Sequence, residues 1–531
     1  MDDAKLRSFY GKDEAKRPPK RERQRIAKAV EKLLPEGKVY PDSVCKVPDG
    51  LLAMCRVGDE DRLAVFCPRR GEPRWSGGFE GEAWGVADTH RLALVPRTAN
   101  NVWVLRDVVD YVNPRPLGTK SSFGFGDRTG LATPGHVMAA LDAGDKIAPI
   151  FPQQSVREMT RTNRTPKQVM VDAVWGVFRA GYDRPFGADA DHLKAPEDVN
   201  VMAAAGFCFF TIDPSDHVDQ KADDYSVPEV RSAFEKLIAD KVPGVEDMLK
   251  LYGGRAFEID GDGGKYTVDV VGLALQRCAV KYGRALAHVC DMAEHIRGVM
   301  GGRPFELEMS VDETAQPTSP VEHLVIGLEL KRRGVEIVSL APRFIGEFEK
   351  GIDYKGDLAE FEKSLKLHAA IARHAGPYKI SVHSGSDKFA VYPIVGRVCG
   401  SFHVKTAGTS YLEALRVAAR VDKDLFREIA AFSRERFPED RATYHISAEL
   451  DHVMPPERLA NADLEPRYLV NDSGRQILHV TFGSVLTARA DDGSYLFRDR
   501  LLELLKKNDE LHCECLRTHL GKHLEKLLEK R

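Results

Sequence analysis

From about residue 115 the chain repeats one pattern, a short apolar run ending in polar residues followed by a stretch of helical periodicity. The runs are SSFGFGD (121–127), FGADADH (186–192), FCFFTID (207–213), FELEMSVD (305–312), VEIVSLAPR (335–343), YKISVHS (378–384), SFHVKTAG (401–408) and QILHVTFG (476–483). Between them lie PKQVMVDAVWGVFRAGY, GLALQRCAVKYGRALAHVCDMAEHI, PVEHLVIGLELKRRG, EFEKSLKLHAAIARHAG and TSYLEALRVAARV. Strand–helix alternation predicts parallel strands joined by crossover helices. Eight such strands predict an α/β fold of the (β/α)8 TIM-like barrel type, with a doubly wound open sheet as the competing architecture. ATYHISA (442–448) is a ninth candidate, or a replacement for one of the eight.

Residues 1–114 have a different character. KRPPKRERQRIAKAVEKLLPEG reads as a basic lead into a short amphipathic helix, with a solvated face preferred over a nucleic-acid contact. Residues 38 to about 110 read as short alternating strands with Gly and Pro turns, a small β-rich domain in which no chemistry is visible. The expected organisation is therefore an N-terminal helix plus β-rich domain (1–114) and a catalytic barrel (115–484). An insert at about 214–304 and a C-terminal helical extension (485–531) decorate the barrel.

In such a barrel, chemistry sits at the carboxyl ends of the strands. Side chains alternate along a strand, so Ile380 and Val382 face away from His383, and Leu307, Met309 and Val311 face away from Glu306, Glu308, Ser310 and Asp312. Glu306 and Asp312 are explained equally well by solvent at the strand ends. Glu308 is harder to place there, because a buried carboxylate needs a partner or a metal. His192, beside Asp189 and Asp191, and His403 and His479 occupy comparable strand-end positions. Each alone is more often structural. Together with a glutamate they suit a divalent metal such as Zn, Mn, Ni or Co, and the expected ligands are His192, Glu308, His383 and His479. Arg128, Arg343 and Lys388 point to an anionic substrate, with Ser384 and Asp387 in the same polar turn HSGSDK.

Composition narrows the class. A formal net charge of -3 over 531 residues argues against a protein dominated by phosphate contacts. Nine scattered cysteines, with one C-x-C at Cys513 and Cys515, show neither a disulfide framework nor a zinc ribbon. The charged start lacks a signal-peptide core, and no run approaches the roughly 20 apolar residues of a membrane span. The expectation is a cytoplasmic enzyme with a small-molecule partner, no nucleic acid and no membrane, with homo-oligomerisation left open.

FGFGDRTGLATPGH, GADADHLK, DPSDHVD, SVDETAQPT, SLAPRFIGEFEKGIDYKGD, KISVHSGSDKFAVYPI, VKTAGTSYLEALR and ILHVTFGSVL resemble the tagaturonate/fructuronate epimerase family of bacterial hexuronate metabolism. The likeness covers most of residues 115–485. It implies a metal-dependent barrel isomerase that interconverts D-fructuronate and D-tagaturonate, which are C4 epimers. Epimerisation of neutral ketohexoses such as fructose and tagatose is the alternative, as is a metal-dependent aldolase or isomerase of a related sugar acid. The C4 hydrogen is β to the ketone, so simple enolisation does not reach it. A retro-aldol/aldol route through an enediolate held on the metal does, with Asp127, Asp189 and Lys405 as candidate acid–base groups. Transient oxidation at C4 is the rival route; it requires a nicotinamide, and FGFGDRTG is not G-x-G-x-x-G.

Overall fold

The computed structural model describes residues 5, 7–34, 36–69, 71–87, 90–262 and 264–529, so residues 1–4, 6 and 530–531 of the expected terminal segments lie outside the described residues. The alternating segment after residue 38 forms an antiparallel sheet of β1 (Lys38–Val39), β2 (Cys45–Val47), β3 (Gly50–Val57), β4 (Glu60–Pro68), β5 (Glu82–Ala87) and β6 (His90–Pro96). The order is β1-β3-β4-β6-β5, with β2 beside β3. Its period of two divides the apolar residues between two cores. Leu52, Met54, Leu63 and Val65 join the barrel core, whereas Leu51, Ala53, Phe66 and Leu92 pack with Ile26 and Val30 of the helix Lys20–Glu31.

The barrel strands are β7 (Ser122–Phe125), β8 (Ala148–Ser155), β9 (Gly187–Leu193), β10 (Phe209–Ile212), β13 (Glu306–Ser310), β14 (Ser339–Ala341), β15 (Lys379–Val382) and β16 (Phe402–Thr406). They pair in parallel and close, with β16 against β7. The hairpin β11 (Arg255–Gly261) and β12 (Gly264–Val270) stands apart in the insert between β10 and β13. That insert is not only decoration. Its last helix, Gly272–Met300, packs between Pro196–Ala205 and Pro320–Arg332 and is the crossover helix of the β10–β13 step. The helix Asp509–Leu528 packs against Tyr392–Val398, Thr409–Val421 and Thr133–Ala143, and so fills the wall between the last crossover helix and the first. Gly135 and Gly396 permit this approach, since a Cβ on either would collide with Leu516 or with the Leu527 carbonyl. Among the described residues no helix is long and apolar enough to cross a membrane.

Seven of the eight expected strand segments contain the barrel strands; two sequence readings are corrected. The eighth strand is β8, APIFPQQS, and not QILHVTFG. Pro149 and Pro152 mask it, because proline cannot donate to a ladder. The chain accommodates them with a register shift against β9 between Ile150 and Gln153. QILHVTFG belongs to the helix Asp472–Val480, capped by the Asn471 side chain, which accepts from the Gly474 N–H at 3.1 Å, and to the helix Phe482–Thr487. Every residue from Gly474 to Val480 is buried, so its polar face (Arg475, Gln476, His479) turns to neighbouring loops and the mouth and not to solvent, and the apolar Ile477, Leu478 and Val480 imitate a buried strand. ATYHISA is not a strand either; it begins in a short 3-10 turn and continues without regular structure.

Candidate active site

At the carboxyl end of β9 the strand alternation breaks. His192 has φ +54°, and the pairing of β9 with β10 shifts by one residue between Phe210 and Ile212. Such a bulge re-aims side chains, and here the consecutive residues Asp191 and His192 both reach the barrel mouth. His383, just past β15, reaches the same place, and the next residue, Ser384, turns with φ +50°.

These groups form one buried charge network. Lys405 Nζ lies 2.8 Å from both Asp189 Oδ2 and Asp191 Oδ1, and 2.9 Å from Glu308 Oε1. It also donates to Thr211 Oγ1 at 2.5 Å. His383 Nε2 lies 2.7 Å from Glu308 Oε1, and its Nδ1 lies 3.0 Å from Asp312 Oδ1. His192 places Nδ1 2.7 Å from Asp191 Oδ1 and Nε2 3.6 Å from Asp312 Oδ1. Burial alone would push the Lys405 ammonium down, but its three carboxylates hold it well above the usual lysine value. Burial likewise opposes the charge on His383, and Asp312 and Glu308 outweigh it, raising the imidazole to about 9. Burial would raise Asp191, Glu308 and Asp312, yet the neighbouring cations hold each well below the usual carboxylate range.

The mouth holds a narrow cavity of about 40 Å3 lined by Asp191, His192, His383, Lys405, Arg128 and His479, among others. It adjoins an outer cavity of about 480 Å3, and the two share Arg157, Lys350, His383, Ser384 and Tyr444.

The fold brings His192, Glu308, His383, Asp189 and Lys405 into this one network. Asp189 is fully buried beneath the mouth, where it accepts from Thr211 Oγ1 at 3.0 Å. Arg128 lines the cavity but is held by Glu158 Oε1 at 2.6 Å and lies over the Phe482 ring. Arg343 lines the outer cavity, with Glu347 at 3.5 Å. Ser384 accepts from Lys350 Nζ at 2.6 Å.

Four residues stand elsewhere than the sequence reading put them. Asp127 accepts from the backbone N–H groups of Thr129, Gly130 and Ala132, so both its oxygens serve the turn before the helix Thr133–Ala143. Asp387 is buried against Arg475, at 2.6 Å, and His519, at 2.5 Å, away from both mouth cavities. Lys388 is fully buried, and its ammonium donates to the carbonyls of Glu349 (2.7 Å), Ile352 and Ser386 (3.0 Å). His479 lies on a helix and not on a strand, and it reaches the mouth from the rim. Neither of its nitrogens has a hydrogen-bond partner. It packs closely over Gly408, where a Cβ would collide with the ring. Burial, with Arg128 and Lys350 adding to it, holds His479 well below the usual imidazole value and so neutral.

Among the mouth residues, the sequence reading passed over Lys350, Arg157 and Tyr444. They come from irregular loops and a helix start, where no periodicity marks an inward face. Asp312 was compatible with solvent, but its side chain is only 16% exposed and lies between two histidines.

The donor set fits a divalent cation. Asp191, His192 and His383 can each offer a ligand atom, with these atoms all within 4.8 Å of one another, and Asp312 stands beside both imidazoles. His192 Nε2 is buried without a hydrogen-bond partner. A divalent cation there would take the place of the imidazole protons that Asp191, Glu308 and Asp312 hold on His192 and His383.

Comparison with known proteins gives a consistent picture. The profile of the UxaE tagaturonate epimerase family matches residues 40–527. The chain is 46% identical over 432 residues to a tagaturonate/fructuronate epimerase of Thermotoga maritima, an alignment spanning 81% of this chain and 85% of that one. The fold is similar to crystal structures of the fructuronate-tagaturonate epimerase UxaE from Cohnella laeviribosi. The glycerol-bound form has a TM-score of 0.86 and 36% identity, covering 96% of this chain and 99% of that one. The native form has the same TM-score and identity over 95% and 99%. The family match thus takes in the N-terminal sheet as well as the barrel, and this chain belongs to the tagaturonate epimerase family, whose members are isomerases.

Proposed function

We propose that this protein inverts C4 of a ketohexuronate, interconverting D-fructuronate and D-tagaturonate, with the help of a divalent cation at the barrel mouth. The observation that carries this reading is the convergence of Asp191, His192, His383 and Asp312 beside the Lys405 ion network, in a member of this family. The first three of these residues, with Asp312 next to them, would hold the cation. Bound there, it would supply Lewis-acid polarisation of the substrate's ketone.

The reaction that this site suits is retro-aldol cleavage and re-addition. A base takes the C4 hydroxyl proton, the C3–C4 electron pair moves toward C2, and a C1–C3 enediolate parts from a C4–C6 aldehyde. The aldehyde turns about C4–C5 and presents its other face. The C3–C4 bond then reforms, and the C4 oxygen regains a proton. Lys405, bound to three carboxylates and held protonated, serves as a fixed hydrogen-bond donor and not as the base. The group at the rim placed to exchange the C4 proton is the neutral His479 over Gly408. Asp127, once a candidate, is left to the turn it caps.

Incubation with D-fructuronate, with product resolved by chromatography, tests the reading. Tagaturonate should appear, disappear with EDTA and return with added Zn, Mn, Ni or Co. Absence of tagaturonate with every metal would remove the substrate assignment. Activity that survives exhaustive chelation, in protein shown to be metal-free, would remove the metal.

A further inference from the structure

We infer that Lys350 binds the carboxylate of the substrate and is the residue that separates hexuronates from neutral ketohexoses. This rests on the hexuronate reading of the site given above. Lys350 lines both the narrow cavity and the outer one. Its ammonium donates to Ser384 Oγ at 2.6 Å, and among the described residues no carboxylate lies within 4.0 Å of it.

Every other cation of the mouth has an acidic partner. Arg128 has Glu158 at 2.6 Å, Arg157 has Glu313 at 3.4 Å, Arg343 has Glu347 at 3.5 Å, and Lys405 has three carboxylates. Lys350 is half-buried in the wall shared by the two cavities, and a partly desolvated ammonium with no carboxylate in contact is costly to keep charged. Burial, with Arg157 adding to it, accordingly pushes the Lys350 amine down from the usual lysine value. An arriving carboxylate reverses that, and a ketose ending in a neutral CH2OH does not.

The backbone around Lys350 is fixed from three sides. Lys388 Nζ donates to the Glu349 carbonyl at 2.7 Å, Arg475 Nε donates to the Gly351 carbonyl at 2.8 Å, and Gln476 Nε2 donates to the Lys350 carbonyl at 3.3 Å. The Glu349 side chain accepts from Gln476 Nε2 at 2.8 Å and from the Ser447 N–H at 2.7 Å. Three buried polar side chains thus hold one loop whose outward product is a single unpaired cation, an arrangement that lowers the ordering cost of binding.

The test compares Lys350→Met and Lys350→Arg with the native protein. Turnover of D-fructuronate and D-fructose is measured, and binding of each sugar is followed by calorimetry. Native enzyme that inverts no hexuronate overturns the underlying function, and is seen before any variant is made. With that activity present, Lys350→Met should weaken D-fructuronate binding about 10- to 100-fold, the range expected for one charge-assisted contact, and leave D-fructose within about 2-fold. Lys350→Arg should recover most of the hexuronate affinity. The ionic-strength dependence of D-fructuronate binding should shrink in Lys350→Met. Equal losses for both sugars, or unchanged D-fructuronate binding in Lys350→Met, would overturn the assignment.

Discussion

His383 and His479 are alike in the sequence, each an imidazole among apolar neighbours, yet their surroundings separate them. His383 is held between Glu308 and Asp312, whereas His479 has no partner on either nitrogen. Their substitutions should therefore separate two functions. His383→Ala should lose both bound metal and activity while keeping the fold. His479→Asn should keep its metal, by elemental analysis, and lose about 10²- to 10⁴-fold in kcat, the usual range for an acid–base group. Metal loss in His479→Asn would return that residue to the ligand set. The lysines divide in the same way: Lys405 is neutralised three times over, and Lys350 is left for something that arrives from outside. Residue identity was legible in the sequence for Glu308, His383 and Lys405, because strand alternation marks an inward face, whereas His192 stood out only as a strand-end residue and reaches the mouth through a bulge. Lys350 and Tyr444 sit in irregular segments, where sequence spacing carries no direction.

At the scale of elements, the loop 349–352 behaves as part of the rigid frame although it has no regular structure. Lys388, which reads as a substrate ligand in the polar turn HSGSDK, points backward and binds this loop. Lys388→Met leaves its carbonyl acceptors without their buried donor and should cost about 2–4 kcal/mol of stability. It should also weaken hexuronate binding through Lys350, although Lys388 does not line the cavity. Denaturant unfolding and calorimetry check the two effects separately, and a stable variant with altered affinity alone would place Lys388 at the substrate. The two elements misread from sequence failed for opposite reasons. β8 hides behind Pro149 and Pro152, which a bulged register absorbs. The helix Asp472–Val480 carries Asp472, Arg475, Gln476 and His479 at helical spacing, but its end ILHV runs into TFG and the short stretch reads equally well with the period of two of a strand.

At the scale of the whole molecule, the barrel and its small companion sheet followed from alternation, whereas the assignment of helices to the barrel wall depended on packing that no local pattern encodes. The wall also stores protonation chemistry. His368, His512 and His523 are buried, and burial above all lowers each to about 4. In the unfolded chain a histidine titrates near 6.5, so between roughly pH 6.5 and 4 the unfolded state binds more protons. Their contribution is present above that window and is lost as pH falls through it, on the order of 2–3 kcal/mol for each by pH 4. Melting temperatures from pH 7.5 to 4.5 should fall steeply below about 6.5, and a flat profile would contradict this account. His512 and His523 lie on Asp509–Leu528, the helix that fills the wall between the last crossover helix and the first. During synthesis this segment leaves the ribosome after all eight barrel strands. A nascent chain that has already made all eight strands still has a gap beside Thr133–Ala143, with apolar surface open to solvent and to other chains. The interval between the last strand and the emergence of this helix is thus the time when this protein most needs a chaperone, and a chain cut short before the helix would be an aggregation hazard.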